Sequence, residues 1–138
     1  MAEAGIHRKG EIDLTKLVEN VRKKSGKELG AIACFVGVVR EKSKKGGPVK
    51  CLHYEAAGES KTTLLEIATQ TEKKPGILHV QIHHVIDDLR PGEDAIYVVV
   101  GAKHRKEAFK VLSEIMDRVK KEPMIWKKEV TKKGGNWV

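Results

Sequence analysis

The chain has 138 residues, enough for one domain with its own core and too few for two ordinary ones. Apolar residues make up 40% and charged residues 33%; no apolar run reaches the roughly eighteen residues of a membrane span, and MAEAGIHRKG lacks the hydrophobic stretch of a signal peptide, so a cytoplasmic protein is expected. The net charge of +8, from 27 Lys and Arg against 19 Asp and Glu, calls for an anionic partner: nucleic acid, a phosphorylated small molecule or an acidic protein.

In chain order, residues 1–10 show no periodicity and are expected to be loosely attached, with a single domain over 11–138. Leu14, Leu17, Val18 and Val21 then recur at helical spacing, between an N-cap at Asp13 and a stop at Gly26. The run GAIACFVGVVR reads as a strand covered on both faces. After a polar loop, EKSKKGGPVK, a second strand is expected over VKCLHYEA. A helix over 60–74 turns Leu64, Ile67, Ala68 and Thr71 inward and ends at Pro75-Gly76. ILHVQIHHV alternates, with Val80 and Ile82 on one face and His79, Gln81 and His83 on the other. The turn DDLRPGED leads to the apolar strand AIYVVVGA, a long helix over 104–121, and an extended C-terminal segment. Helices alternating with strand pairs predict an α+β fold, one mainly antiparallel sheet with helices packed on it.

Several chemistries are absent from this pattern. No HExxH motif or Cys/His zinc spacing occurs, and His79 and His83 on one strand stand about 13 Å apart at ~3.3 Å per residue, so no metal site is expected. Cys34 and Cys51 form no CxxC pair and read as buried, inert thiols. There is no phosphate-binding glycine loop and no GxSxG. The basic residues at element ends are the features left over. Arg40 closes one strand, and His104 and Arg105 begin the long helix, where backbone N–H groups favour an anion. On that helix the buried line runs through Ala108, Leu112, Ile115 and Val119, flanked by Phe109 and Met116. At ~100° per residue Lys121 points away from it, and Lys120 falls beside Met116, semi-buried. In WKKE, Lys127 and Glu129 share one strand face and Trp126 and Lys128 the other, but period alone does not say which is covered. A lysine shielded from water beside other cations loses proton affinity and becomes available for chemistry.

Six blocks in order, GAIACFVGVVR, LHYEA, IHHVIDDLRPGE, VVVGAKHRKEAF, IMDRVKKEPMIWKKE and GGNWV, resemble the large, catalytic subunit family of molybdopterin synthase. The resemblance implies an α+β fold with an α/β-hammerhead-like part. It also implies a sulfurtransferase of molybdenum cofactor biosynthesis that converts cyclic pyranopterin monophosphate to the dithiolene of molybdopterin. Sulfur would come from the C-terminal thiocarboxylate of a small ubiquitin-like subunit, and two large subunits would form a homodimer with a small subunit at each outer end. The transfer itself would need no metal or organic cofactor. By motif, Lys120 and Lys127 would be catalytic; Val38, Val39, Arg40, His104, Arg105, Lys128 and Glu129 would join them in binding substrate. Phosphate and thiocarboxylate are both anions, and fixed cations would bind them and stabilise developing negative charge. The sequence departs from the family at Val38, where a lysine is usual, and at His83-His84-Val85-Ile86, in place of HRxG. Met124 also separates Pro123 from Ile125, and the sequence stops at Val138, where many relatives continue into a charged tail. Two other readings are a homologue that binds the ubiquitin-like partner without catalysis, and a basic nucleic-acid-binding module; two Phe and two Tyr offer little base stacking to the latter.

Overall fold

The computed structural model describes residues 1–41, 50–123, 125–131 and 134–137, with the backbone alone at Glu129, Thr131, Gly134 and Asn136. Most of the polar loop expected before the second strand, and Lys132 and Lys133, expected in a solvated turn, fall outside the described residues. Helix α1 covers Leu14–Ser25, where the apolar spacing predicts it. Asp13 Oδ1 accepts a hydrogen bond from the Thr15 N–H at 2.9 Å, and Gly26 ends the helix at φ 74°, a conformation that favours glycine. Helix α2 is Ser60–Glu72 and α3 is Arg105–Val119.

Among the described residues, eight strands pack with these helices. The first four-stranded sheet has the order β1 (Glu3–His7), β4 (Ile77–Val85), β6 (Asp94–Ala102), β2 (Ala31–Val38). The second has the order β5 (Asp88–Leu89), β3 (Cys51–Ala56), β7 (Ile125–Thr131), β8 (Gly134–Trp137). All pairings are antiparallel except β1 with β4, so the fold is α+β with mainly antiparallel sheets. The expected single sheet is two, because β3 pairs with the C-terminal strand and not with its predecessor in sequence.

The first sheet is covered on both faces. Val80, Ile82, Val98 and Val100 meet Leu64, Ile67 and Ala68 of α2 and Ala108, Val111 and Ile115 of α3. Val85, Tyr97 and Val99 meet Leu17 and Val21 of α1, together with Leu52 and Leu89 of the second sheet. At the crossing of α1, a Cβ on Gly101 would strike Val21 Cγ1 at 2.8 Å, so this close approach requires glycine. Among the described residues no helix is long and apolar enough to cross a membrane.

The looseness expected of residues 1–10 fails, since Glu3–His7 pairs in parallel register with 81–85. The period of β4 is as predicted; β1 lies beside it in the sheet, α1 packs against it, and His79, Gln81 and His83 are buried. Their polar atoms are satisfied in a chain: Asn20 Nδ2 and Gln81 Nε2 donate to Glu3 Oε2 at 2.7 and 2.6 Å. His79 Nε2 lies 3.1 Å from the same oxygen, and His79 Nδ1 lies 3.2 Å from Glu72 Oε1. His83 Nε2 donates to Gln81 Oε1 at 2.6 Å, leaving His83 Nδ1 to accept from His7 Nε2 at 2.8 Å. Strand β2, in contrast, is an edge strand and is not covered on both faces; Cys34, Phe35 and Val38 are exposed.

Candidate functional site

Helix α3 separates two groups of expected site residues. Its 15 residues span about 22 Å at 1.5 Å per residue, with His104 and Arg105 at one end and Lys120 at the other. His104 is the N-cap, in extended conformation and with no side-chain capping bond; its Nδ1 lies 3.8 Å from Glu107 Oε2. It lines a surface cavity of about 590 Å³ with Gly76, Lys103, Lys106, Lys110 and Val111. Arg105 is exposed beside it. Within this cavity's walls Lys74 pairs with Glu114, and Lys103 lies 3.2 Å from Glu28.

At the other end Lys120 is the C-cap, its N–H donating to Met116 O at 3.2 Å. The expected contrast between a semi-buried Lys120 and a solvated Lys121 is absent, for both are exposed. Lys120 keeps helical dihedrals at the cap, φ −72° and ψ −21°, but it lies past Val119, the last buried residue of the stripe. The stripe is also narrower than expected: Ala108, Val111, Ile115 and Val119 are buried, Leu112 and Met116 are half-buried, and Phe109 is 66% exposed.

Strand β7 settles which face its two lysines take. In antiparallel pairing, residues directly opposite share a face. Lys127 stands opposite Tyr54, Lys128 opposite His53 and Glu129 opposite Leu52. Leu52 and Tyr54 belong to the core beneath the sheet, so Lys127 faces inward and is half-buried. Lys128 lies on the other face, where it too is half-buried, its Nζ 5.8 Å from the Trp137 ring centroid, a cation–π contact. Trp137 is 54% exposed, and Trp126 is 46% exposed.

Lys127 has an unforeseen neighbour. His84, at the end of β4, sets its ring edge-on to Tyr54 at 5.1 Å and 61°, and its Nδ1 donates to Val85 O at 3.1 Å. Burial, with only 8% of the residue exposed, pushes its pKa down to about 4; the Val85 bond opposes this and the positive charge of Lys127 adds to it. Lys127 is thus within electrostatic reach of a neutral imidazole. The departure from HRxG at His84 marks this position in the sequence; nothing local marks Tyr54.

The third group lies at the end of β2. There the register slips, with Gly37 opposite Ile96 and Val38 opposite Asp94, a bulge that reverses the inward–outward alternation. Val38 is exposed, Val39 is only 3% exposed, and Arg40 is exposed. Both backbone groups of Val39 are engaged, its N–H with Glu93 O at 3.0 Å and its O with Gly92 N–H at 2.9 Å. Val39 therefore belongs to the core and presents Arg40 to solvent.

The remaining candidates sort simply. Among the described residues no group of three or more His, Cys, Asp or Glu could hold a metal ion. Both cysteines are free; Cys34 is exposed and Cys51 half-buried, against the expectation of two buried thiols, because β2 is an edge.

Three comparisons bear on this arrangement. The family model described as MoaE protein matches residues 7–122, a stretch that contains Arg40, His104, Arg105 and Lys120 and ends before Lys127. The molybdopterin synthase catalytic subunit of Pyrococcus abyssi is 40% identical over 115 residues, covering 83% of this chain and 77% of that protein. A molybdopterin biosynthesis MoaE protein from Burkholderia ambifaria shares the fold at TM-score 0.82 and 35% identity, covering 100% of this chain and 89% of that one. Molybdopterin synthase from Staphylococcus aureus gives TM-score 0.84 at 29% identity, covering 96% and 94%. With sequence and fold agreeing along nearly the whole chain, it belongs to the MoaE family, that of the molybdopterin synthase catalytic subunits.

Proposed function

We propose that the chain is the sulfur-transferring subunit of a cytoplasmic molybdopterin synthase. Its substrates are cyclic pyranopterin monophosphate and the C-terminal thiocarboxylate of a small ubiquitin-like subunit. Both are anions, and the observation that carries the reading is Lys127, turned to the covered face of β7 on the segment that follows Lys120. Lys120 activates the thiocarboxylate, Lys127 meets the charge or proton that develops as sulfur leaves, and Arg40, His104 and Arg105 hold the pterin and its phosphate.

The length of α3 gives the proposal a quaternary consequence. About 22 Å between its ends is longer than a pterin monophosphate, so one copy does not bring His104 and Arg105 to the substrate that its own Lys120 serves. A two-fold homodimer does, with one copy supplying the N-terminal end of α3 and the other supplying Lys120 and Lys127.

Dithiolene formation from the cyclic precursor and a verified thiocarboxylated small subunit is the test. Turnover is expected with the native chain, and K120A and K127A each lower it about 100-fold, the scale of losing one fixed charge-stabilising group, with pterin binding retained. No dithiolene from the native chain overturns the enzyme reading; unchanged turnover in either variant overturns its assigned role.

A further inference from the structure

Lys127 is half-buried against an aromatic wall. The wall consists of Tyr54, directly opposite Lys127 in the β3–β7 register, and His84, edge-on to Tyr54 at 5.1 Å. Two constraints fix the His84 ring. The Tyr54 contact sets its plane, and the 3.1 Å bond to Val85 O requires the proton on Nδ1. Nε2 then carries a lone pair and accepts. The register partners of His84 are Ile96 on β6 and Ile6 on β1, and neither brings a charge. Among the described residues, the titratable groups that bear on the ring are the Tyr54 phenol and the Lys127 ammonium.

We propose that His84, backed by Tyr54, is a positioning residue for Lys127: a neutral acceptor that steadies the ammonium and keeps it protonated, so that Lys127 acts as a fixed cation and not as a base. An arginine at position 84 would put a permanent second positive charge against Lys127 and favour its neutral form. The imidazole does the reverse. Its low proton affinity, down to about 4, keeps it an acceptor throughout the physiological range. The inference rests on the proposed role of Lys127 and selects between the two tasks left open for it: stabilising the charge on departing sulfur, with no proton taken up.

Single-turnover dithiolene formation is measured against pH with the full chain and its thiocarboxylated partner, alongside an NMR titration of the Lys127 ε-carbon. Three changes are compared. H84L keeps the site buried and removes the acceptor; H84Q restores a neutral acceptor near the Nε2 position; H84R adds a charge. With H84L the rate at neutral pH falls about tenfold, the scale of a hydrogen bond to a charged group, at little cost in pterin affinity, and the Lys127 titration moves to lower pH. H84Q recovers most of the rate. H84R moves both the Lys127 titration and the alkaline limb of the rate profile down by about one pH unit. If H84R does not fold, the H84L and H84Q pair decides. Folded H84L with native rate and an unmoved Lys127 titration overturns the inference. So does a rate that rises with pH as Lys127 deprotonates, which would make Lys127 a base. If K127A keeps native turnover, the role of Lys127 and the inference fall together; if K127A is inactive while H84L and H84R are silent, only the inference falls.

Discussion

Lys127 and Lys128 are adjacent in sequence and opposed in space. A two-residue period states that they lie on different faces but not which face is covered; that depends on pairing with Tyr54 and His53, some seventy residues away. Lys128 lies on the face opposite Lys127, its Nζ 5.8 Å from the exposed Trp137 ring. K128A is expected to cost less than about 1 kcal/mol of stability, the scale of an exposed cation–π contact. Its sulfur-transfer rate should stay within about threefold of native while K127A loses about 100-fold; paired thermal melts and turnover assays check both. Lys120 shows the opposite limit of sequence reading. Helical phase sets it above Met116, and its dihedrals and its bond to Met116 O keep that phase, but it stands at the cap, past Val119, the last buried residue of the helix, and is exposed.

The helices were legible because α1, α2 and α3 each carry apolar periodicity together with an end signal: Asp13 and Gly26 around α1, Pro75 after α2. Strand β1 was not, for it has five residues, EAGIH, with no period of its own. Its Glu3 side chain meets the polar face of β4. Glu3 accepts from Asn20 and Gln81 and lies against His79, and E3A leaves several buried groups without their acceptor. A loss of about 1–3 kcal/mol is expected, measurable as a lower urea midpoint; an unchanged midpoint would show that water replaces the carboxylate at no cost. The same interior makes stability depend on acidity. Burial pushes His83 down to about 4, with the neighbouring His7 acting in the same direction, and His84 to about 4 as well. The unfolded rings bind protons near 6.5, so below that pH the unfolded state takes up more protons than the folded one. Stability should be fully present above about 6.5 and fall progressively toward pH 4, by up to about 3 kcal/mol per ring at the limit. Replacing His83 with Gln should flatten that slope.

For the whole molecule, the antiparallel α+β class followed from the order of elements, whereas the division into two sheets did not. That division depends on β7 and β8 returning to β3, a long-range pairing that no local pattern encodes. It is also what sets Lys127 over the end of β4. The α3 span predicts shared sites between two copies, and mixing measures it. K127A and the double variant H104A/R105A, each inactive alone, should regain about a quarter of native turnover after unfolding and refolding together, because half of randomly paired dimers carry one intact site of two. Sedimentation should give a particle of twice the 15.4 kDa chain mass. No recovery on mixing would mean that each chain completes its own site.

The slip at Gly37 and Val38 makes the opposite strand sensitive to reading length more than to residue identity. Between the pairs Gly37–Ile96 and Val38–Asp94, Ala95 of β6 has no partner on β2, so the extra residue lies on β6; past it Val39 is buried and Arg40 exposed. Deleting the Ala95 codon would restore one-to-one pairing and exchange the two, driving a guanidinium into the interior while lifting the valine out. In a saturation library with both substitutions and in-frame deletions, Val38 should accept many replacements, yet loss of Ala95 should rank among the most damaging events in the gene.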